Sequence, residues 1–159
     1  MSLLKQLAET YHYEYHKNYL YINIDDYLIT VRNYIDYFDP RNNGRIIYIP
    51  LNDPTQEQKE QLMVFLKANS LNLKIREYVI DDLNVLVIRL LEVYKKFKIE
   101  EFHHLINTVI KFLKDINISY EKVCRYCKGN DSDSTVIINK IKYHCHSKCR
   151  EEFESKMKK

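Results

Sequence analysis

The most informative stretch of this chain is CRYCKGNDSDSTVIINKIKYHCHSKC, residues 124–149. It contains all four cysteines of the 159-residue sequence. Two pairs of potential ligands frame it, in the pattern C-x2-C-x18-H-x2-C. Zinc is bound in proteins by four nitrogen or sulfur atoms in a tetrahedron, and two such pairs supply that number. The pattern therefore predicts one zinc site with Cys124, Cys127, His146 and Cys149 as its ligands.

The residues between and after the two ligand pairs predict a β-hairpin followed by a helix. Val136 and Ile138 have the spacing of a strand, and Asn139-Lys140 is a suitable turn. From Ser147 onward, the sequence SKCREEFESKMKK is typical of a helix. Residues three apart are neighbours on a helix, so its first turn would carry the second ligand pair on one face. The positive end of the helix also favours thiolate ligands.

This combination of a C-x2-C turn, a hairpin and a helix resembles the treble-clef zinc finger. The spacing is also similar to the first half of a LIM finger, over residues 122–159. The resemblance implies a structural zinc ion on Cys124, Cys127, His146 and Cys149. Because the chain lacks the second LIM finger, the resemblance implies no LIM partner.

The identity of the third ligand is open at this point, because Cys145 precedes His146. A site built with Cys145 would have four thiolates and a C-x3-C second pair, a spacing that fits a helical turn less well. The sequence therefore favours His146. Disulfides are the other alternative. No signal peptide and no run of about 18 apolar residues is found, so we expect a cytoplasmic protein whose cysteines stay reduced.

The remainder of the chain predicts an α+β domain over residues 1–120, with the zinc finger over 121–159. Its strands occur in runs, which indicates an antiparallel sheet and excludes alternating βαβ units. The order is α-β-β-β-(β)-α-β-β-α. The predicted elements are a helix at 2–10, three or four strands within 12–51, a helix from about 53 to 69, strands at 72–80 and 83–91, and a helix at 97–115.

Short polar motifs mark the ends of these elements. Residues 53–56 read Asp-Pro-Thr-Gln, which predicts a helix start with Asp53 as the N-cap. The pairs Asp25-Asp26 and Asp81-Asp82 could act as catalytic or Mg²⁺-binding carboxylates. Both pairs fall where hairpin turns are needed, so we interpret them as turns.

The element order over residues 1–118 resembles the type III secretion chaperone fold, which YbjN-like proteins share. In that family the domain binds extended segments of partner proteins and commonly dimerises. The resemblance therefore implies a protein or peptide partner, and a possible homodimer, in place of catalysis.

The distribution of charge suggests an alternative function. Residues 122–159 contain ten basic and five acidic side chains, whereas residues 1–121 contain 15 and 17. A basic finger could make this chain a nucleic-acid-binding regulator, although nucleic acid is the less favoured partner. The candidate contacts are Arg125, Lys128, Lys140, Lys142, Lys148 and Arg150.

Other patterns carry less information. The tyrosine-rich stretch from Tyr11 to Tyr37, with Arg32, could be a stacking platform for single-stranded nucleic acid, but ordinary strand packing is the favoured interpretation. The basic residues 156–159 could flank a membrane segment beyond this chain, which would make the chain the cytosolic head of an anchored protein. No nucleophile elbow, phosphate loop or H-E-x-x-H motif is found. We therefore expect a non-enzymatic adaptor or peptide-binding protein with a structural zinc ion.

Overall fold

The computed structural model describes residues 3–35, 37–39, 41, 43–90, 97–118 and 122–157. It has the predicted α+β fold, with an antiparallel sheet followed by a small C-terminal hairpin and helix. None of the described helices is both long and apolar enough to cross a membrane. The elements are α1 (Leu3–Tyr11), β1 (Glu14–His16), β2 (Tyr19–Ile24), β3 (Tyr27–Tyr34), β4 (Gly44–Pro50), α2 (Gln56–Asn69), β5 (Ile75–Ile80), β6 (Val85–Leu90), α3 (Ile99–Asp115), β7 (Ser134–Ile138), β8 (Ile141–Cys145) and α4 (Arg150–Met157).

The first six strands form one sheet in the order β1-β2-β3-β4-β6-β5. Tight turns join β1 to β2, β2 to β3 and β5 to β6, and the two aspartate pairs lie in the second and third of these turns as predicted. Asp25 and Asp26 have φ angles of 50° and 69°, which is the left-handed geometry that matches the twist of a hairpin. Asp81 accepts hydrogen bonds from the backbone N–H groups of Leu83 and Val85, each at 2.9 Å. Both pairs therefore act in turn formation.

The three long helices α1, α2 and α3 cover one face of this sheet. Alternation places Leu20 and Ile22 of β2, and Ile47 and Ile49 of β4, on that face, where all four are buried. We call it the inner face. Helix α3 presents a continuous apolar stripe to it, largely as its sequence predicts. The buried residues of α3 are Phe102, Leu105, Ile106, Val109, Ile110 and Leu113.

Helix α2 begins later than predicted, and the predicted N-cap is wrong. Thr55 is the N-cap, and its side-chain oxygen accepts from the Gln58 N–H at 3.1 Å. The Gln58 side chain accepts from the Thr55 N–H at 2.9 Å. This Thr-x-x-Gln box satisfies two helix-end donors at once. Asp53 lies outside the helix, and its carboxylate is 3.3 Å from the Lys128 ammonium.

The C-terminal finger, residues 122–157, packs on the opposite or outer face of the sheet. The backbone N–H of Lys142 donates to Thr30 Oγ1 at 3.3 Å, and the Tyr21 hydroxyl donates to the Lys140 carbonyl at 3.1 Å. Thr30 is fully buried, so the finger gives this polar side chain its partner. The predicted domain boundary at residues 120–121 and the predicted strand end at residue 91 lie outside the described residues.

The corrected cap of α2 predicts a specific mutational effect. Thr55→Ala should lower the free energy of unfolding by about 1 kcal/mol, because it leaves the Gln58 N–H without its acceptor. Thr55→Ser keeps the hydroxyl and should remain close to the parent protein. Chemical denaturation measures both. A Thr55→Ala variant as stable as Thr55→Ser would contradict this assignment of the cap.

Candidate metal centre

The first ligand pair lies in a tight knuckle between the main domain and β7. The Cys124 N–H donates to the Gly129 carbonyl at 2.8 Å, and the Lys128 N–H donates to the Cys124 carbonyl at 2.9 Å. A Cβ atom on Gly129 would lie 3.2 Å from the His146 ring and 3.3 Å from the Cys127 sulfur. A side chain at this position would crowd one residue of each ligand pair, so the glycine permits their close approach.

The second ligand pair follows the predicted hairpin. Asn139 and Lys140 both have positive φ, as a two-residue hairpin turn requires, which confirms the predicted turn. The helix predicted from Ser147 begins as a 3-10 turn at Ser147–Cys149 and becomes α-helical at Arg150. His146 is the N-cap of that turn, and the Cys149 N–H donates to its carbonyl at 2.9 Å.

The structure brings all four predicted ligands together. One ligand atom from each of Cys124, Cys127, His146 and Cys149 lies within 4.8 Å of the others. The Cys127 sulfur is 3.3 Å from His146 Nδ1. These distances suit a single metal ion at the centre of four donor atoms, so the group could hold one.

The orientation of His146 is set by a neighbour that the sequence analysis did not identify. His146 Nε2 lies 2.9 Å from the carbonyl oxygen of Asn130, which can only accept a hydrogen bond. Nε2 therefore carries the proton, and Nδ1 points toward the cluster. Metal-binding histidines typically donate their second ring nitrogen in this way. This hydrogen bond is also the main cause that raises the pKa of His146.

A second supporting residue is Asp133, which lies just before β7. Its carboxylate accepts from the Ser147 N–H at 2.8 Å and also contacts the Ser147 hydroxyl. It thereby holds the turn that carries His146 and Cys149. These hydrogen bonds lower the pKa of Asp133. The only sequence signal for such support was the polar composition of the segment between knuckle and hairpin.

The environments of Cys124 and Cys145 differ sharply, although their sulfurs are 4.0 Å apart and both are fully buried. Burial raises the pKa of Cys124, but backbone N–H groups led by that of Cys127 outweigh it, and the pKa falls to about 6. Burial and the nearby Cys124 raise the pKa of Cys145 to about 12. The Cys145 thiol also contacts the His146 carbonyl oxygen at 3.3 Å. The backbone donors around Cys124 thus favour its thiolate, whereas burial favours the neutral thiol at Cys145 and also at the predicted ligand Cys149, whose pKa it raises to about 11.

The residue inside the knuckle connects the centre to the main domain. Arg125 donates through its guanidinium to the carbonyl oxygens of Leu51, at 2.6 Å, and Leu83. The same group lies 5.3 Å from the centre of the Tyr143 ring. The neighbouring His144 turns away from the ligands, and its Nε2 lies 2.7 Å from the Asp26 carbonyl oxygen.

The six candidate nucleic-acid contacts therefore fall into three groups of two. Arg125 and Lys142 hold the finger against the sheet, since Lys142 pairs with Glu14. Weaker ion pairs engage two more, Lys128 with Asp53 and Arg150 with Glu154 within α4. Lys140 and Lys148 are exposed and form no ion pair with any described residue.

The comparisons with known proteins give no family for this chain. Neither the protein-family models nor the curated proteins that were searched contain a match. No family match therefore supports the chaperone-like resemblance or the LIM-like resemblance.

The contacts of Arg125 predict that the finger and the main domain stabilise each other. Arg125→Ala should lower the free energy of unfolding by about 2–3 kcal/mol, because two charged hydrogen bonds are lost, one to the part-buried carbonyl of Leu51 and one to the exposed carbonyl of Leu83. Arg150→Ala is the matched control in the same finger, and its exposed ion pair should be worth at most about 0.5 kcal/mol. Denaturation curves for both variants provide the comparison. Equal stability of the two would contradict the anchoring role of Arg125.

Proposed function

We propose that this chain is a non-enzymatic adaptor that binds a protein partner and contains one structural zinc ion. The observation that carries the proposal is the closed set of three sulfur ligands and one imidazole within 4.8 Å. Thiolate and imidazole donors favour zinc, whereas Mg²⁺ and Ca²⁺ prefer oxygen ligands. Zinc is therefore the metal that the chemistry of this ligand set favours.

A structural role for the ion is supported by the number of ligands. Four protein ligands fill a tetrahedral zinc site, whereas a catalytic zinc keeps a position for water or substrate. The size of the finger supports the same role. Domains below about 40 residues seldom bury enough apolar surface to fold alone, and metals commonly supply the missing stability. The buried apolar side chains of the finger itself are Val136, Ile138, Tyr143 and Phe153.

Binding to a protein partner is supported by apolar side chains on the surface. Val64 and Leu71, in and just after α2, are 68% and 89% exposed, and Leu83 in the β5–β6 turn is 51% exposed. Val64 and Leu71 both lie toward the C-terminal end of α2, whereas Leu83 lies beyond the far end of β5. Exposed apolar side chains on one part of the surface are typical of protein-binding surfaces, so Val64 and Leu71 are the candidate contacts. The alternative, nucleic-acid binding through the finger, has less support because most of its candidate residues form contacts within the chain.

The zinc proposal is tested by the metal content of the purified protein. We expect one zinc ion per chain by elemental analysis, without added metal. His146→Ala should weaken zinc binding by more than about 100-fold, the upper limit for residues that only support a ligand. Cys145→Ala is the matched control at the adjacent position, and it should keep the ion. Metal-free protein, or equal loss of zinc in both variants, would show that the ligand set is wrong.

The adaptor proposal is tested by affinity purification from the native cell. We expect a protein partner that is recovered with the parent chain and lost with Val64→Glu or Leu71→Glu. Both side chains are exposed, so the substitutions should change the stability of the fold by no more than about 0.5 kcal/mol. Lys148→Glu, at an exposed site on the finger, is the control for added negative charge. Recovery of the same proteins with all four chains would argue against this surface.

A further inference from the structure

One cysteine of the finger lies outside the predicted ligand set. Cys145 is the last residue of β8, directly before His146, and it is fully buried. Its sulfur lies 4.0 Å from the sulfur of Cys124, which is a predicted ligand. The finger therefore holds a further thiol within reach of its ligand set.

The backbone around Cys124 and Cys145 fits a covalent link between them. The Arg125 N–H donates to the His144 carbonyl oxygen at 2.9 Å, so the knuckle runs beside the end of β8. Cys124, one residue before this contact, faces Cys145, one residue after it. Residues that face each other on paired segments have Cα atoms about 4.5–5.5 Å apart, and a disulfide needs about 4.4–6.8 Å. A disulfide between the two cysteines therefore requires rotation of their side chains and little movement of the backbone.

Cys127 gives an oxidant access to this buried pair. Its side chain is exposed, whereas the other three cysteines are buried. The Cys127 sulfur also lies within 4.8 Å of the Cys124 sulfur in the ligand cluster. Accessible cysteines react first with peroxides, and a neighbouring thiol then converts the product into a disulfide. An oxidation that begins at Cys127 can thus pass to Cys124 and from there to Cys145.

We propose that the finger is an oxidative modification site for hydrogen peroxide, which links Cys124 to Cys145 by a disulfide. The link removes one sulfur from the four donors of the cluster, so it lowers the affinity of the finger for its metal ion. A thiol reductant reverses the link and restores the ligand set. The release of metal rests on the proposed zinc site, whereas the link between the two sulfurs does not.

Three steps, written for the neutral thiols, lead from peroxide to this disulfide. The Cys127 sulfur attacks one peroxide oxygen, the O–O bond breaks, and water leaves with the thiol proton as a sulfenic acid forms. The Cys124 sulfur attacks the Cys127 sulfur, the S–O bond breaks, and a second water leaves as the S–S bond forms. The Cys145 sulfur then attacks the Cys124 sulfur and passes its proton to the departing Cys127 sulfur. Cys124 and Cys145 together lose two electrons and two protons, which reduce one peroxide to two waters.

Trypsin separates the four cysteines, which allows the link to be mapped. Cleavage after lysine and arginine places them on residues 123–125, 126–128, 143–148 and 149–150. The full purified chain is treated with hydrogen peroxide, free thiols are blocked with iodoacetamide, and the unreduced digest is analysed by mass spectrometry. We expect peptide 123–125 linked to peptide 143–148, with Cys127 and Cys149 alkylated. A metal-binding dye should detect about one zinc ion released per linked pair, and dithiothreitol should restore zinc binding.

Cys145→Ala is the matched control for the last step. It should keep its zinc before oxidation and afterwards link peptide 123–125 to peptide 126–128, because the exchange has lost its thiol. The proposal is overturned if the parent chain itself gives mainly that second link. Oxidation of Cys127 to a sulfinic acid with no disulfide among the four cysteines would overturn it as well. Purified protein without zinc would contradict the proposed zinc site alone, because the peptide map tests the link between the two sulfurs in either case.

Discussion

The C-terminal part of the molecule depends on one constraint, the convergence of four ligand atoms within 4.8 Å. Two pairs of residues, 18 positions apart, must meet at one point, and the chain between them has to fold back as a hairpin. Gly129 allows the close approach, while Asn130 and Asp133 fix the orientation of the second pair. Few apolar residues support this arrangement, so a bound metal would supply much of its stability.

The finger in turn completes the outer face of the sheet. Thr30 and Tyr21 direct polar groups toward it, and Val85 shares an apolar cluster with the finger's own core. Arg125 connects the metal ligands to the main domain, because it lies between Cys124 and Cys127 in the chain and donates to carbonyl groups of the main domain. Metal binding and docking of the finger are therefore expected to be linked.

Much of this could be predicted from the sequence, for identifiable reasons. The sheet, the hairpin turn at Asn139-Lys140 and helix α3 follow from local periodicity and turn chemistry, and the ligand spacing is itself a local pattern. The predicted N-cap of α2, Asp53, was wrong because Asp53 and Thr55 are both residue types that can cap a helix. Only Thr55 forms a capping box, with Gln58, that satisfies two backbone donors at once. Docking of the finger could not be predicted, because Lys142 and Thr30 are 112 residues apart. Arg125 and Lys142 were predicted as nucleic-acid contacts, but their side chains bind groups of this chain, the Leu51 carbonyl and the Glu14 carboxylate.

The most direct test of the link between metal and docking is hydrogen exchange with and without a chelator. Removal of the metal should abolish protection in β7 and β8 and increase exchange at the Lys142 N–H, which the docked finger holds against Thr30. The amides of α3 and the central strands β4 and β6 should stay protected, since their core lies on the inner face. Unchanged protection of the hairpin after complete removal of the metal would contradict the central role of the ligand cluster.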